Sequence, residues 1–579
     1  MAIPREEHAL LSHLDNLHSE AKKVTDAVST NWDSYIDTYK GRSWRGTRPP
    51  HFTANATEFV VNQKVALLTE SKPDIQIIAL KTGMTRTSEV IEQTIRALWD
   101  ENHVQSELER LALNGAVLGN GFVETTWDSR ANGGLGNIII SSLDPRTVSF
   151  DPFVTDISRL ADAQYIIIEK VMTLQEIRLR YPGRGQLVTA ESNLGPPTRA
   201  HTGIKSPTSH ISSVAHLPGK PQSTDAIPRA TVKIYWLRDD QLDPATGKPM
   251  FPNGRFIVRG GNIILADDQN PFWDGNFPID GFNWDIDIEH AWGRGEVQRF
   301  TRIQNSIDRI GDSLVRNMLI NNNTVLIGDN DALDPDQWKT LTNIEGLIIK
   351  KRAGREFTRQ APPVLPPEFF GIPRQLIDLI SMLSGMREVV QGTRPGGITS
   401  GVAVEGLQQS ALTLVRRVAR NLETTMCGVG QKLISRIFQF FNSDRMLMRV
   451  GQNEDWQSYA FSRKELLQQV LINGDGSPVP TEDIGLRLRS AFNDFRFLIR
   501  PGSSLAQSRI QRGIQAISLF QLGLIDDEEV MRVVEWPDRD AVLQRAKIKQ
   551  AASGQMPRTG SAQAQRRVAS SLEKLGGQG

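Results

Sequence analysis

The chain has 579 residues, and its 67 basic and 66 acidic side chains leave a formal charge of +1 at neutral pH. An apolar share of 39%, before 47 glycines are counted, is enough to bury a large core and excludes disorder as the overall state. The charge balance argues against a polybasic nucleic-acid binder, and a single cysteine, Cys427, excludes an intrachain disulfide and a thiolate-rich zinc site.

At about 150 residues per domain the length predicts a body of several parts. No run of about 18 apolar residues is present to span a bilayer. The opening MAIPREEHALLSHLDNLHSEAKK lacks the apolar core of a signal peptide. The expectation is a soluble protein of a reducing compartment, or of a particle assembled there. The basic residues divide into 48 arginines and 19 lysines. Arginine suits ion pairs, subunit interfaces and phosphate contacts, but an Arg-biased genome gives the same composition, so the count alone decides nothing.

Taken in chain order, Leu10, Leu11, Leu14, Leu17 and Ala21 recur at helical spacing in the first forty residues. His8, His13 and His18, five apart, cannot share one helix face and are expected to face solvent. Pro49-Pro50 breaks the chain before a helix over Asn55–Leu68, a strand over Asp74–Ile78 and a helix over Thr87–Leu118. That helix ends in Gly119 and Gly121. Strands are predicted at Phe122–Trp127, Asn137–Ser141 and Tyr165–Lys170. Residues 195–230 are rich in proline and serine and read as a surface loop. Strands resume at Thr231–Leu237 and Arg255–Leu265.

From Gly293 the pattern turns helical. Phe300, Ile303, Ile307, Ile310, Leu314 and Met318 form one apolar stripe, closed by Asn321-Asn322-Asn323. A small segment follows, with a strand at Thr324–Ile327, a short helix after Pro335 and a strand at Gly346–Lys351. A second striped helix runs from Arg374 to about Val390 through Leu376, Leu379, Leu383 and Met386. The interruption QGTRPGGITSG, residues 391–401, leads into the longest periodic element, Leu407 to Phe440. Its mean period of about 3.7 residues is that of a straight α-helix rather than a left-handed coiled coil. A helix over Leu505–Leu522 and an N-cap at Asp526, with Glu529 three residues on, complete the pattern. The last residues are expected to be disordered.

Catalytic signatures are missing. There is no G-x-x-x-x-G-K-[ST] phosphate loop, H-E-x-x-H or G-x-S-x-G. Gly119-Asn120-Gly121 follows a helix and precedes a strand, the reverse of a dinucleotide fingerprint, and reads as a helix C-terminal turn. The best metal candidate is Asp285, Asp287, Glu289 and His290 in FNWDIDIEHAWG. The competing reading is a half-buried strand, with Trp284, Ile286 and Ile288 facing the core and the acids facing out. Lys350, Lys351, Arg352 and Arg355 form a basic cluster at the end of the small segment, read either as a solvated face or as a contact to phosphate or an acidic partner.

The order of these parts resembles the portal proteins, or head-to-tail connectors, of tailed bacteriophages. The resemblance is carried by NATEFVVNQKVALLTESKPDIQI and by ISSLDPRTVSFDPF followed by ADAQYIIIEKVMTLQEIRLRYP. It continues in FPIDGFNWDIDIEHAWGRGEVQRFTRIQNSIDRIGDSLVRN, GITSGVAVEGLQQSALTLVRRVARNLE and QLGLIDDEEVMRVVEWPD. The fold class it implies is α+β, mainly helical, with wing, stem, clip and crown around a central channel. Residues 1–293, with loop 195–230, would form the N-terminal part of the wing. The stem helices would be 294–321 and 371–390, with the clip, 322–370, between them. A tunnel loop would occupy 391–402, the long helix and remaining wing 403–500, the crown 501–550, and a disordered tail 551–579. Loop 195–230 departs from the family as an insertion.

The resemblance further implies a homo-oligomer of twelve copies at one capsid vertex of the virion, assembled in the host cytoplasm. Double-stranded DNA would pass through the channel. The partners would be the terminase large subunit, which hydrolyses the ATP, head-tail adaptor or tail proteins, the major capsid protein and scaffold. No membrane, metal, cofactor or catalytic residue is implied. The tunnel-loop candidates are Arg394, Gly396, Gly397, Thr399 and Ser400, and the clip candidates are Lys350, Lys351, Arg352 and Arg355. A near-neutral chain with one arginine in the loop suits sliding DNA better than a basic groove does. The alternatives are a metal-dependent nucleic-acid hydrolase using Asp285 and Asp287, and a minor head protein without a channel.

Overall fold

The computed structural model describes residues 5–42, 52–191, 227–238, 247–322, 326–336, 351–359, 366–386, 413–450, 456–472, 477–500, 513, 516–522, 524–534, 542 and 545. Over these the chain is α+β, and none of the sheets closes into a barrel. It divides into two units. The first contains Met1–Thr30, Lys64–Gly295 and Leu414–Gly579, and the second Asn31–Gln63 and Glu296–Thr413.

In the first unit, an antiparallel sheet runs Val148–Phe150, Tyr165–Thr173, Arg229–Leu237, Arg255–Gly260, Ile263–Gln269. The last two form a hairpin, where one strand over Arg255–Leu265 was expected. The turn is made at Gly261, whose φ of 59° lies in the left-handed region. Register sets Ile167 opposite Tyr235 and Tyr235 opposite Ile257. These three are buried against Leu11, Leu14 and Ala21 of the helix Arg5–Ser29. The opposite face, with Val232 and Val258, packs on Leu174 and Ile177. Burial on both faces explains the near-continuous run YIII.

A polar seam lies beside that apolar contact. His18 Nε2 sits 2.8 Å from Glu169 Oε1, which Lys233 approaches at 3.5 Å, and Arg259 bonds Asp15 at 2.6 Å. His18 is thus largely buried, contrary to the expectation that it faces solvent. The helix meets a sheet wide enough to take a second row of side chains, which helical spacing alone does not reveal.

A three-stranded sheet, Asn137–Leu143, Asn120–Asp128, Ile279–Asn283, forms the rest of the core with two helices. The single helix expected over Thr87–Leu118 is broken into Thr85–Glu101 and Val104–Leu118. His103 takes a left-handed φ of 51° at the break, and the Asn102 side chain donates 3.0 Å to the Leu98 carbonyl. Neither residue is a conventional breaker, so periodicity runs through them. Gly119 caps the second helix as expected, and a Cβ there would collide with the Gly293 carbonyl.

The helix Thr413–Phe440 lies between that sheet and the pair Ile75–Ala79 and Phe495–Ile499. Gly428 makes room for the Asp280 carboxylate and Gly430 for the Phe497 ring. Each glycine costs about 1 kcal/mol of helix propensity, offset by the close approach it permits. Lys432 Nζ reaches Asp280 at 2.7 Å and the Ile279 carbonyl at 2.9 Å. Arg436 bonds Asp274 at 2.6 Å and lies over the Phe272 ring at 3.9 Å. Burial pushes the Lys432 ammonium down and the Asp280 carboxyl up, and their mutual attraction opposes both shifts.

In the second unit the helix Glu296–Asn322 is flanked by Trp32–Tyr39 and Ile372–Ser384. Its stripe is buried at Phe300 and Ile307, while Met318 is exposed. The second striped helix stops at Ser384 rather than running to Val390. Gly385, with φ of 74°, closes it by donating to the Met382 carbonyl. Residues 195–226 of the proline-rich loop lie outside the described residues, and its last two are already in a strand. At the C-terminal end Asp526 caps as expected, its Oδ1 accepting from Glu529 N at 2.9 Å.

Replacing Lys432 by Met leaves Asp280 buried without its cation and should cost about 3–5 kcal/mol, whereas the Lys432→Met/Asp280→Leu pair should cost much less; denaturant midpoints of the three proteins check this. A second outcome concerns acid. Burial raises the Glu169 carboxyl, but the His18 hydrogen bond and the charges of Lys233, His18 and Lys22 outweigh it and hold the group below its ordinary 4.5. A depressed carboxylate stabilises above its unfolded pKa and loses that contribution as acid protonates it. Hydrogen-exchange protection in Arg5–Ser29, taken relative to the intrinsic rate at each pH, should therefore fall as pH drops below 4.5, and Glu169→Gln should flatten this acid limb.

Candidate functional site

The acidic run at 285–290 is built as a turn, because the strand ends at Asn283. Trp284 is buried, but Ile286 and Ile288 are 61% and 98% exposed, so the alternating strand with a core-facing apolar row is overturned. The cause is a ring of short bonds. The Asp285 carbonyl accepts from Arg294 N at 2.9 Å, and Asn283 Nδ2 donates to the Ala291 carbonyl at 3.2 Å. Together they fold 284–294 back on itself.

Within this turn the acids are directed at arginines and backbone. Asp285 Oδ1 lies 2.9 Å from Arg417, Asp287 Oδ2 3.2 Å from Arg294, and Asp287 Oδ1 accepts from Glu289 N at 2.9 Å. His290 Nδ1 lies 2.8 Å from the Trp292 carbonyl. Among the described residues no three His, Cys, Asp or Glu groups come together to hold a metal. The turn is a structural joint, and Asp285 serves it by bonding the helix Thr413–Phe440.

The clip candidates lie beside a strand pair, Leu326–Gly328 with Phe357–Arg359. The second strand falls where none was expected; of the strand expected at Gly346–Lys351, residues 346–350 lie outside the described residues and Lys351 is in no strand. Arg352 bonds Asp334 at 2.7 Å and Arg355 reaches Asp331 at 3.3 Å, all four side chains being at least half exposed. The pair is further tied by Glu356 N donating to Asp329 Oδ2 at 3.1 Å and Arg352 N to the Ala332 carbonyl at 3.0 Å. Lys351 is exposed. The described residues of 326–359 present a mixed-sign surface, not a basic one. Scanning 350–355 alone missed this, and the signal was the upstream run GDNDALDPD, which the strand pairing brings opposite.

Arg394, Gly396, Gly397, Thr399 and Ser400 lie outside the described residues, as does Lys350.

Sequence reasoning also missed how the helix Glu296–Asn322 is anchored in its unit. Gln304 accepts from Thr57 Oγ1 at 3.2 Å and donates to the Ala54 carbonyl at 2.8 Å and to Asp308 at 3.0 Å. Asp312 Oδ1 accepts from Phe52 N at 2.6 Å, and Gly311 gives the Phe52 ring its space. Burial raises the Asp308 carboxyl, against its bonds from Gln304 and Ala54. The polar residues among the apolar stripe, Gln304, Asp308 and Asp312, were the available clue: they interrupt one face at steps of four.

The family model described as phage P22-like portal protein matches residues 32–240 and 314–571, most of the chain. No curated protein matches it.

Proposed function

The chain belongs to the phage P22-like portal protein family, and on that premise we propose that it forms a closed ring, a dodecamer, at one capsid vertex, through which double-stranded DNA is packaged and later ejected. Family membership makes it a virion capsid component of oligomeric character. The observation that carries the ring is the pair of striped helices. Met318, Leu319, Met382 and Leu383 remain exposed on Glu296–Asn322 and Ile372–Ser384 within one copy. A solvated monomer rarely keeps such apolar surface, and a head-to-tail contact repeated by rotation covers it and closes.

In this reading the helices are the stem, and the segment between them is the clip, which docks the terminase large subunit during packaging and the head-tail adaptor or tail proteins afterwards. The alternating Asp331, Asp334, Arg352 and Arg355 suit a protein partner with complementary charges better than a phosphate backbone. The major capsid protein and scaffold meet the ring at the vertex, and assembly takes place in the host cytoplasm. Loop 391–402 faces the channel. Gly396 and Gly397 let its backbone shift, Thr399 and Ser400 supply neutral hydrogen bonds, and Arg394 makes transient phosphate contacts. Chemistry on ATP belongs to the motor, since this chain has no phosphate loop.

Negative-stain microscopy and light scattering of the purified chain should show closed rings; a monodisperse monomer at micromolar concentration overturns the reading. Arg394→Ala should leave rings intact and alter packaging rate or DNA retention, more so at low salt. Unchanged packaging at every ionic strength reduces the loop to a linker.

A further inference from the structure

The helix Glu296–Asn322 sorts its charges by sign. Its acids, Glu296, Asp308 and Asp312, are all buried within the unit. Arg299, Arg302, Arg309 and Arg316 are all exposed. With Ser306 and Ser313 they fall at steps of 3, 4, 3, 4 and 3, which is one face of an α-helix. No acidic residue and no lysine lies on that face.

The serines do not compete for a ligand. Ser306 Oγ donates to the Arg302 carbonyl at 3.1 Å and Ser313 Oγ to the Arg309 carbonyl at 2.9 Å, so both hydroxyls fold back onto the helix. They leave low ground between long cations. The arginines span about 26 Å at 1.5 Å per residue. A guanidinium carries five donors in a planar fork, so an arginine with a partner on its own chain still offers N–H groups outward. Such a fork fits a phosphate in two-point contact.

We propose that this arginine face is a contact surface for the phosphate backbone of duplex DNA, distinct from the tunnel-loop residues. The complement it fits is a regular row of negative charge, and duplex DNA presents one charge per about 1.7 Å of axis. Forks engaged on phosphate oxygens read no base, so contact made in this way is independent of sequence, as a moving duplex requires. The inference rests on the portal reading, in which the duplex passes the stem.

The test uses full-length rings of three proteins: wild type, Arg302→Gln/Arg309→Gln, and a charge-matched control, Arg178→Gln/Arg180→Gln, on another helix. Each is titrated with a fluorescent mixed-sequence 40-bp duplex at several NaCl concentrations. The stripe variant should bind at least about tenfold more weakly at low salt, and its slope of log K against log salt should be shallower by about 0.9 for each phosphate it no longer neutralises. The control should match wild type. Intact stripe-variant rings with wild-type slope and affinity overturn the inference and leave the portal reading standing, as does a control that falls equally. Loss of rings in the stripe variant alone overturns it by making the face a subunit contact. Failure of wild type to form rings overturns the portal reading itself.

Discussion

Two cations on one face of the helix Thr413–Phe440 have nowhere to go but onto carboxylates. Lys432 and Arg436 are fully buried, and a buried charge without a partner is among the costliest features a fold can carry. Asp280, in the strand Ile279–Asn283, and Asp274, in the segment leading into it, meet them. Because partners one helical turn apart must both be met, rotation or sliding of the helix by one residue is excluded. Gly428 and Gly430 enforce the same position by shape, one against Asp280 and the other against Phe497. The strand so located carries its own sheet with it. It pairs with Asn120–Asp128, whose first residue, Asn120, accepts from Gly293 N at 2.9 Å and so fixes the turn that precedes Glu296.

What could be read in advance followed the periodicities. The apolar stripe at Phe300–Met318, the β-branched runs at Tyr165 and Thr231, and the cap at Asp526 are local patterns, and local patterns survive into the fold. What could not be read depended on residues far apart in the chain. Asp285 looked like a strand acid beside a histidine, because nothing nearby shows that Arg417 will reach it at 2.9 Å. Arg352 and Arg355 looked like an unopposed basic cluster, because their acids sit 18 and 24 residues upstream. His18 looked solvent-facing, because its partner Glu169 is 151 residues away. In each case side-chain chemistry was legible and its destination was not.

The near-neutral total takes on a different meaning once the charges are located. An even count of 67 and 66 says nothing of where they lie. Around the strand pair Leu326–Gly328 and Phe357–Arg359, opposite charges are placed together and cancel within a few ångströms. In Glu296–Asn322, they are separated across the thickness of one helix, acids inward and arginines outward. The first arrangement leaves a weak field and a patterned surface that a partner protein can match. The second leaves the exposed charges of that helix of one sign.

That separation has a structural cost which shows that it is built in. Burying Asp308 and Asp312 needs compensating donors: Gln304 and the Ala54 backbone supply them to Asp308, and the Phe52 backbone to Asp312. Apolar residues at 304, 308 and 312 would have filled the same face with no such requirement. The polar choice makes attachment of segment 52–57 directional, since hydrogen bonds select one register where an apolar contact accepts several. A helix that presents cations along its outer face must resist being turned by whatever those cations meet. Hydrogen bonds on its inner face supply that resistance, so the buried acids and the exposed arginines form one mechanical element.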